Sequence, residues 1–234
     1  MSASADEVIP VALRTGTVEL SSDVALPEDA WAAVAVAHGA GAGYRHPFLV
    51  GFTDALTAAG IATLRFNLPY AQAGRRMPGP AAHAVAAWGA VHAWLSAHVE
   101  VPVWACGKSY GGRMASMAAA EGVIEPAGLV YLGYPLHPPG DRSKARTAHL
   151  PEIVPPQLFL SGTNDPFVDP HDQLVDAVAA CRDAELTWIE GGGHSFEVAG
   201  RKRPADEIGA ELAPIVAEFL RRRGPEPRAV QDPA

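Results

Sequence analysis

The sequence predicts a mostly parallel, doubly wound α/β sheet with helices on both faces and a small cap loop over the site. Short apolar runs recur at Ala32–Ala37, Ile61–Phe66, Val101–Ala105, Gly128–Leu132 and Gln157–Leu160, and such runs fit strands buried on both faces. Stretches of helical periodicity separate them, the alternation that feeds a parallel sheet. A chain of 234 residues, 48% hydrophobic and 19% charged, can bury one substantial core. One domain over residues 1–222 with a flexible tail at 223–234 is therefore expected.

Taken in order, Ile9–Leu20 alternates loosely, continues into Val24–Leu26 and turns at Thr15-Gly16, which reads as an edge hairpin. Pro47–Ala59 carries Leu49, Phe52, Leu56 and Ala59 at helical spacing and stops at Gly60. Ala81–His98 is an Ala-rich helix with Trp88, Val91, Trp94 and Leu95 toward the core, and Tyr110–Ala120 is the helix after the third buried strand. Further helices are expected at Pro170–Arg182 and Asp206–Arg222, with a last strand at Leu186–Glu190. Tyr134–Pro156 has weak periodicity and reads as the cap.

A net charge of -8 disfavours nucleic acid and anionic lipid, both of which need clustered Lys and Arg. No apolar run approaches the ~18 residues of a membrane span, and Met1–Glu7 lacks the pattern of a signal peptide, so a cytoplasmic protein is expected. Cys106 and Cys181 are expected to be free thiols.

Gly107-Lys108-Ser109-Tyr110-Gly111 matches G-x-S-x-G directly after a buried strand and directly before a helix. That turn presents a serine hydroxyl at the C-terminal edge of a sheet, so Ser109 is the candidate nucleophile. Two nucleotide motifs fail at single positions: a phosphate loop ending in Gly107-Lys108-Ser109 would need Gly where Pro102 stands, and a dinucleotide fingerprint from Gly39 would need Gly where Tyr44 stands. No cofactor or metal is implied.

A serine hydroxyl needs a base, and the base needs a carboxylate to hold its tautomer. The fold places acid and then histidine after the serine. Asp165 follows the strand ending near Leu160, and His194 follows the last strand on a Gly191-Gly192-Gly193 loop expected to be flexible. Asp169 and Asp172 are rival acids, with Asp172 suited to a first helical turn. His38 and His137 are expected to line the site or brace loops; His46, His83, His92, His98, His149 and His171 read as structural or surface residues. Donors for an oxyanion are expected from the main-chain N–H groups of Tyr110 and Ala40, the latter in the small-residue segment His38–Gly43. Cys106 lies on the strand before the turn and reads as packing. Lys108 reads first as half of a structural ion pair and second as a partner for a substrate carboxylate.

These words, together with LRFNLPY at Leu64–Tyr70, GKSYGGRMAS at Gly107–Ser116, LGYPLHPPG at Leu132–Gly140, SGTNDPF at Ser161–Phe167 and GGHSF at Gly192–Phe196, resemble the small dienelactone-hydrolase-like branch of the α/β-hydrolases. Within that branch the chain resembles compact bacterial hydrolases related to an animal testis-expressed protein and to a chromatin-complex subunit. The resemblance spans about Ala33 to Phe196 and implies the roles given to Ser109, Asp165 and His194. It further implies that Tyr70, Tyr134 and His137 border the substrate pocket, and it marks Tyr110 as a departure where relatives carry a side chain such as Met. The expected activity is hydrolysis of a small carboxylic ester through an acyl-enzyme. The alternative is a non-catalytic binding or scaffold module on the same fold.

Overall fold

The computed structural model describes residues 5–224, and the tail expected at 223–234 lies outside them except for its first two residues. Eight strands form one sheet: β1 (Ala5–Leu13), β2 (Gly16–Ala25), β3 (Ala32–Ala37), β4 (Ile61–Phe66), β5 (Val103–Lys108), β6 (Leu129–Leu132), β7 (Gln157–Gly162) and β8 (Ala184–Ile189). Their order is β1-β2-β4-β3-β5-β6-β7-β8, with β1 and β2 antiparallel at one side and parallel pairing from β4 onward. The helices are α1 (Pro47–Ala58), α2 (Pro69–Gln72), α3 (Ala81–His98), α4 (Tyr110–Ala120), α5 (His171–Ala179) and α6 (Ala205–Arg223). Among the described residues, no helix is long and apolar enough to cross a membrane.

The period of two along each strand divides the core. Ala33, Ala35 and Ala37 of β3 face one apolar cluster with Trp88, Val91 and Leu95 of α3 and Met114 of α4. Val34 and Val36 face the other cluster, with Phe52 of α1 and Leu212, Val216 and Phe219 of α6. Two-sided burial is why these strands read as unbroken apolar runs. It also separates the cysteines, since Cys106 packs in the α1–α6 cluster and Cys181 against the α3–α4 cluster, and both are free thiols.

The structure moves several boundaries. The hairpin pairs Leu13 with Gly16, so its loop is Arg14-Thr15, one residue earlier than expected. β5 runs on through Lys108, up to Ser109 itself. The segment Tyr134–Pro156 is not a cap: Tyr134, Leu136, Leu150 and Ile153 are buried against the α3–α4 layer. Its weak periodicity reflects two single-turn 3-10 helices at Arg142–Lys144 and Leu150–Glu152, too short to carry an amphipathic signal.

Helices α1 and α6 meet main chain to main chain at Gly51 and Gly209. A Cβ on Gly51 would overlap the main chain of Asp206, and one on Gly209 would overlap the Phe48 carbonyl. Gly51→Ala is therefore expected to lower stability to urea by about 1–3 kcal/mol, although alanine favours a helix by about 1 kcal/mol over glycine. A variant as stable as the parent would show that the two helices can separate freely.

Candidate active site

Parallel strands deliver their C-terminal loops to one rim. Ser109 occupies the junction of β5 and α4 with φ 49° and ψ −116°, outside the regions open to most L-residues. Neighbouring main chain makes the junction this tight. A Cβ on Gly107 would overlap the Gly112 nitrogen, and one on Gly111 would stand 2.6 Å from the His38 carbonyl oxygen. The two fixed glycines of the motif are thus a requirement of close approach, and the result is a serine turned outward at the start of a helix.

The loops after β7 and β8 are laced together. Asn164 N–H donates to the Gly192 carbonyl at 2.9 Å, Thr163 N–H to Ile189 at 3.1 Å, and Gly191 N–H to Thr163 Oγ1 at 2.8 Å. The Gly191–Gly193 loop is therefore bonded on both sides, contrary to the expected flexibility. Its glycines serve contact, since a Cβ on the facing Gly162 would overlap the carbonyl of Gly192.

This lacing brings the acid and the histidine into register with the serine. Ser109 Oγ lies 2.8 Å from His194 Nε2, and His194 Nδ1 lies 2.7 Å from Asp165 Oδ2. Asp165 is 1% exposed, and its other oxygen accepts from Phe167 N–H at 2.9 Å. That pattern assigns the proton of neutral His194 to Nδ1 and leaves Nε2 to accept from the serine hydroxyl. Burial lowers the His194 pKa from its ordinary value; the bond to Asp165 opposes this and the charge of Lys108 adds to it. Of the rival acids, Asp172 sits in the first turn of α5 and the exposed Asp169 faces Arg142 at 3.9 Å.

Ala40 lies on the loop after β3, and Tyr110 opens α4 directly after Ser109. The N–H groups of Ala40 and Tyr110 have no hydrogen-bond acceptor among the described residues. The loop is held from behind by His38, whose Nδ1 donates to the Gly39 carbonyl at 2.8 Å while its Nε2 accepts from Leu68 N–H at 3.0 Å. Burial pushes the His38 pKa down to about 4, so this brace is a neutral imidazole. Tyr70, on α2, donates its hydroxyl to the same Gly39 carbonyl at 3.1 Å.

Around Ser109 lies a cleft of about 510 Å³, lined by His38 to Ala42, Phe48, Leu49, Phe167, His194 and Ile208, with His46, Lys108, Glu197 and Arg203 as polar members. Three residues expected at the pocket do not line it. Tyr134 is fully buried with its hydroxyl on the Arg146 carbonyl at 2.7 Å. His137 is buried beside the main chain of Phe167, and Tyr70 braces the Gly39 loop from behind. Each was carried by its position in a motif word, and a word does not say which way a side chain points.

Other cleft residues escaped the sequence reading. Phe48 and Leu49 follow the glycine-rich loop on the first turn of α1, where they are buried in the core and also line the cleft. His46 caps α1 through its Nδ1 and also borders the cleft. Arg203 comes from just ahead of α6 and Ile208 from its first turns, and nothing local in their sequence points to the site. Lys108 makes no ion pair within 4.0 Å among the described residues; its ammonium donates to the His194 carbonyl at 2.7 Å. Cys106 is buried, which pushes its thiol pKa up and keeps it inert.

Solved structures share this architecture. A dienelactone hydrolase from Anabaena variabilis superposes with a TM-score of 0.73 at 22% identity, over 95% of this chain and 99% of the other. An alpha-beta serine hydrolase homologue from Coxiella burnetii gives 0.71 at 19% identity, over 94% and 98% of the two chains. A serine hydrolase without a lid from Xanthomonas campestris gives 0.69 at 20% identity, over 95% and 96%. At these identities the likeness establishes the fold. Residues 30–220 match the family model described as the alpha/beta hydrolase domain. With that match over most of its length, the chain belongs to the alpha/beta hydrolase family.

Proposed function

We propose that this protein is a serine hydrolase that cleaves a small carboxylic ester, or a related acyl compound such as a thioester, through an acyl-enzyme. One observation carries the reading: Asp165, His194 and Ser109 form a continuous hydrogen-bonded row that ends at an open cleft. Ser109 Oγ attacks the acyl carbon as His194 Nε2 takes its proton. Collapse of the tetrahedral adduct expels the alcohol, which leaves with that proton. Water then attacks the acyl-serine by the same base, releasing the acid and restoring Ser109. The N–H groups of Ala40 and Tyr110 serve as oxyanion donors, each worth roughly 3 kcal/mol in the transition state. The apolar wall of Phe48, Leu49 and Ile208 suits a compact acyl or aromatic group.

Hydrolysis of esters of graded acyl length, with labelling by a fluorophosphonate, tests the proposal. Turnover of short-chain esters and stoichiometric labelling are expected. Folded protein that takes no label would defeat it.

The pH dependence follows from the histidine. The base works when neutral, so activity rises with pH through the His194 pKa. Burial lowers that pKa, so the acid limb of kcat/KM is expected below the ordinary imidazole value of 6.5. An acid limb centred above 6.5 would contradict the environment described for His194.

A further inference from the structure

We propose that Lys108 is a positioning residue of this site: its buried ammonium fixes the loop carrying His194 and favours the neutral imidazole that accepts the serine proton. The role rests on the hydrolytic reading above. Lys108 is the last residue of β5 and immediately precedes the nucleophile, so one residue joins two members of the row.

The loop it holds is a tight turn. Phe196 N–H donates to the Gly193 carbonyl at 3.0 Å, Gly193 N–H to the Glu197 carbonyl at 2.9 Å, and Ser195 N–H to Glu197 Oε2 at 3.0 Å. Phe196 adopts φ 66°, an unusual conformation for a bulky residue, and its ring stacks on Phe48 of α1 with centroids 6.0 Å apart. The turn directs the His194 carbonyl toward Lys108 Nζ, which bonds to it at 2.7 Å and lies 5.9 Å from the Phe196 ring centroid. Without that donor, nothing else among the described residues bonds the carbonyl.

Packing alone does not account for an ammonium here. Lys108 is 8% exposed and has no carboxylate within 4.0 Å among the described residues, an arrangement that is strongly unfavourable for a charge unless the surroundings compensate it. The compensation is electrostatic. Burial draws the Lys108 pKa down to about 8, while Asp165 and Glu197 act to raise it. With His194 neutral, Asp165 leaves the row with one negative charge, and Lys108 supplies the balancing positive charge across the imidazole. A second proton on His194 would break that balance. The groups facing Lys108 are Asp165 from the loop after β7, His194 and Glu197 from the loop after β8, and His46 ahead of α1, whose pKa is lowered by burial and by the same ammonium.

The test is an NMR titration of the His194 imidazole in the parent, Lys108→Met and Lys108→Gln, which needs no turnover. Loss of the cation is expected to raise the His194 pKa in both variants by roughly 0.5–1 unit and to move the acid limb of kcat/KM upward with it. Lys108→Met, which also removes the donor, is expected to lower kcat by about 10–100-fold with little change in KM. Lys108→Gln, which keeps an amide donor, recovers part of kcat without restoring the acid limb. An unchanged His194 pKa in folded Lys108→Gln overturns the proposal, as does a loss confined to KM. If Lys108→Met fails to fold, Lys108→Gln alone decides the charge effect. Absence of fluorophosphonate labelling in the parent would instead strike the hydrolytic reading, because the titration reads the imidazole directly.

Discussion

Ser109→Ala is expected to lower kcat by on the order of 10⁶-fold and to abolish fluorophosphonate labelling while the fold is retained. The size of the effect follows from the loss of the attacking atom; what remains is binding and the oxyanion donors, which by themselves give a residual 10³–10⁴-fold or so over water. Little structural cost is expected, because among the described residues the hydroxyl bonds only to His194 Nε2, and it faces the cleft. The decisive comparison is intact-mass analysis of parent and variant after exposure to the probe. An adduct of equal stoichiometry on Ser109→Ala would transfer the nucleophile to another residue.

Asp165→Asn is expected to lower kcat by on the order of 10⁴-fold, although it changes no volume. The reason is the orientation the site forces on the amide. Phe167 N–H donates to Asp165 Oδ1, so the amide oxygen must occupy that place and the NH₂ group must face His194 Nδ1. Nδ1 then has to accept, its proton moves to Nε2, and Nε2 can no longer take a proton from Ser109. The imidazole tautomer, read by nitrogen chemical shifts, should switch from Nδ1–H to Nε2–H. Activity within tenfold of the parent would show that the carboxylate does not set the tautomer.

Both predictions use groups that were legible in one dimension. Buried parallel strands must be apolar on both faces, so β3 to β7 stand out as runs, and a nucleophile between such a strand and a helix needs glycines at fixed offsets. Chain order then singles out Asp165 and His194, because parallel strands send successive C-terminal loops to one rim. Local chemistry and connectivity are enough for that much.

The remainder depends on contacts between segments far apart in sequence. Tyr134 and His137 sit in a recognisable word, yet their side chains turn into the core, because burying the 134–156 segment against the α3–α4 layer outweighs leaving it over the cleft. The cleft wall comes instead from α1 and from Ile208 on α6, brought together by the glycine contact at Gly51 and Gly209. Lys108 shows the limit most plainly. Its neighbour in sequence identifies it as part of the G-x-S-x-G turn, but its partner is a main-chain carbonyl 86 residues away, and a carbonyl has no signature in an amino-acid sequence. The sequence by itself determined which hydroxyl, imidazole and carboxylate meet and at which edge of the sheet. Only the folded chain decided what surrounds them, because packing selects among side-chain directions that local periodicity leaves equal.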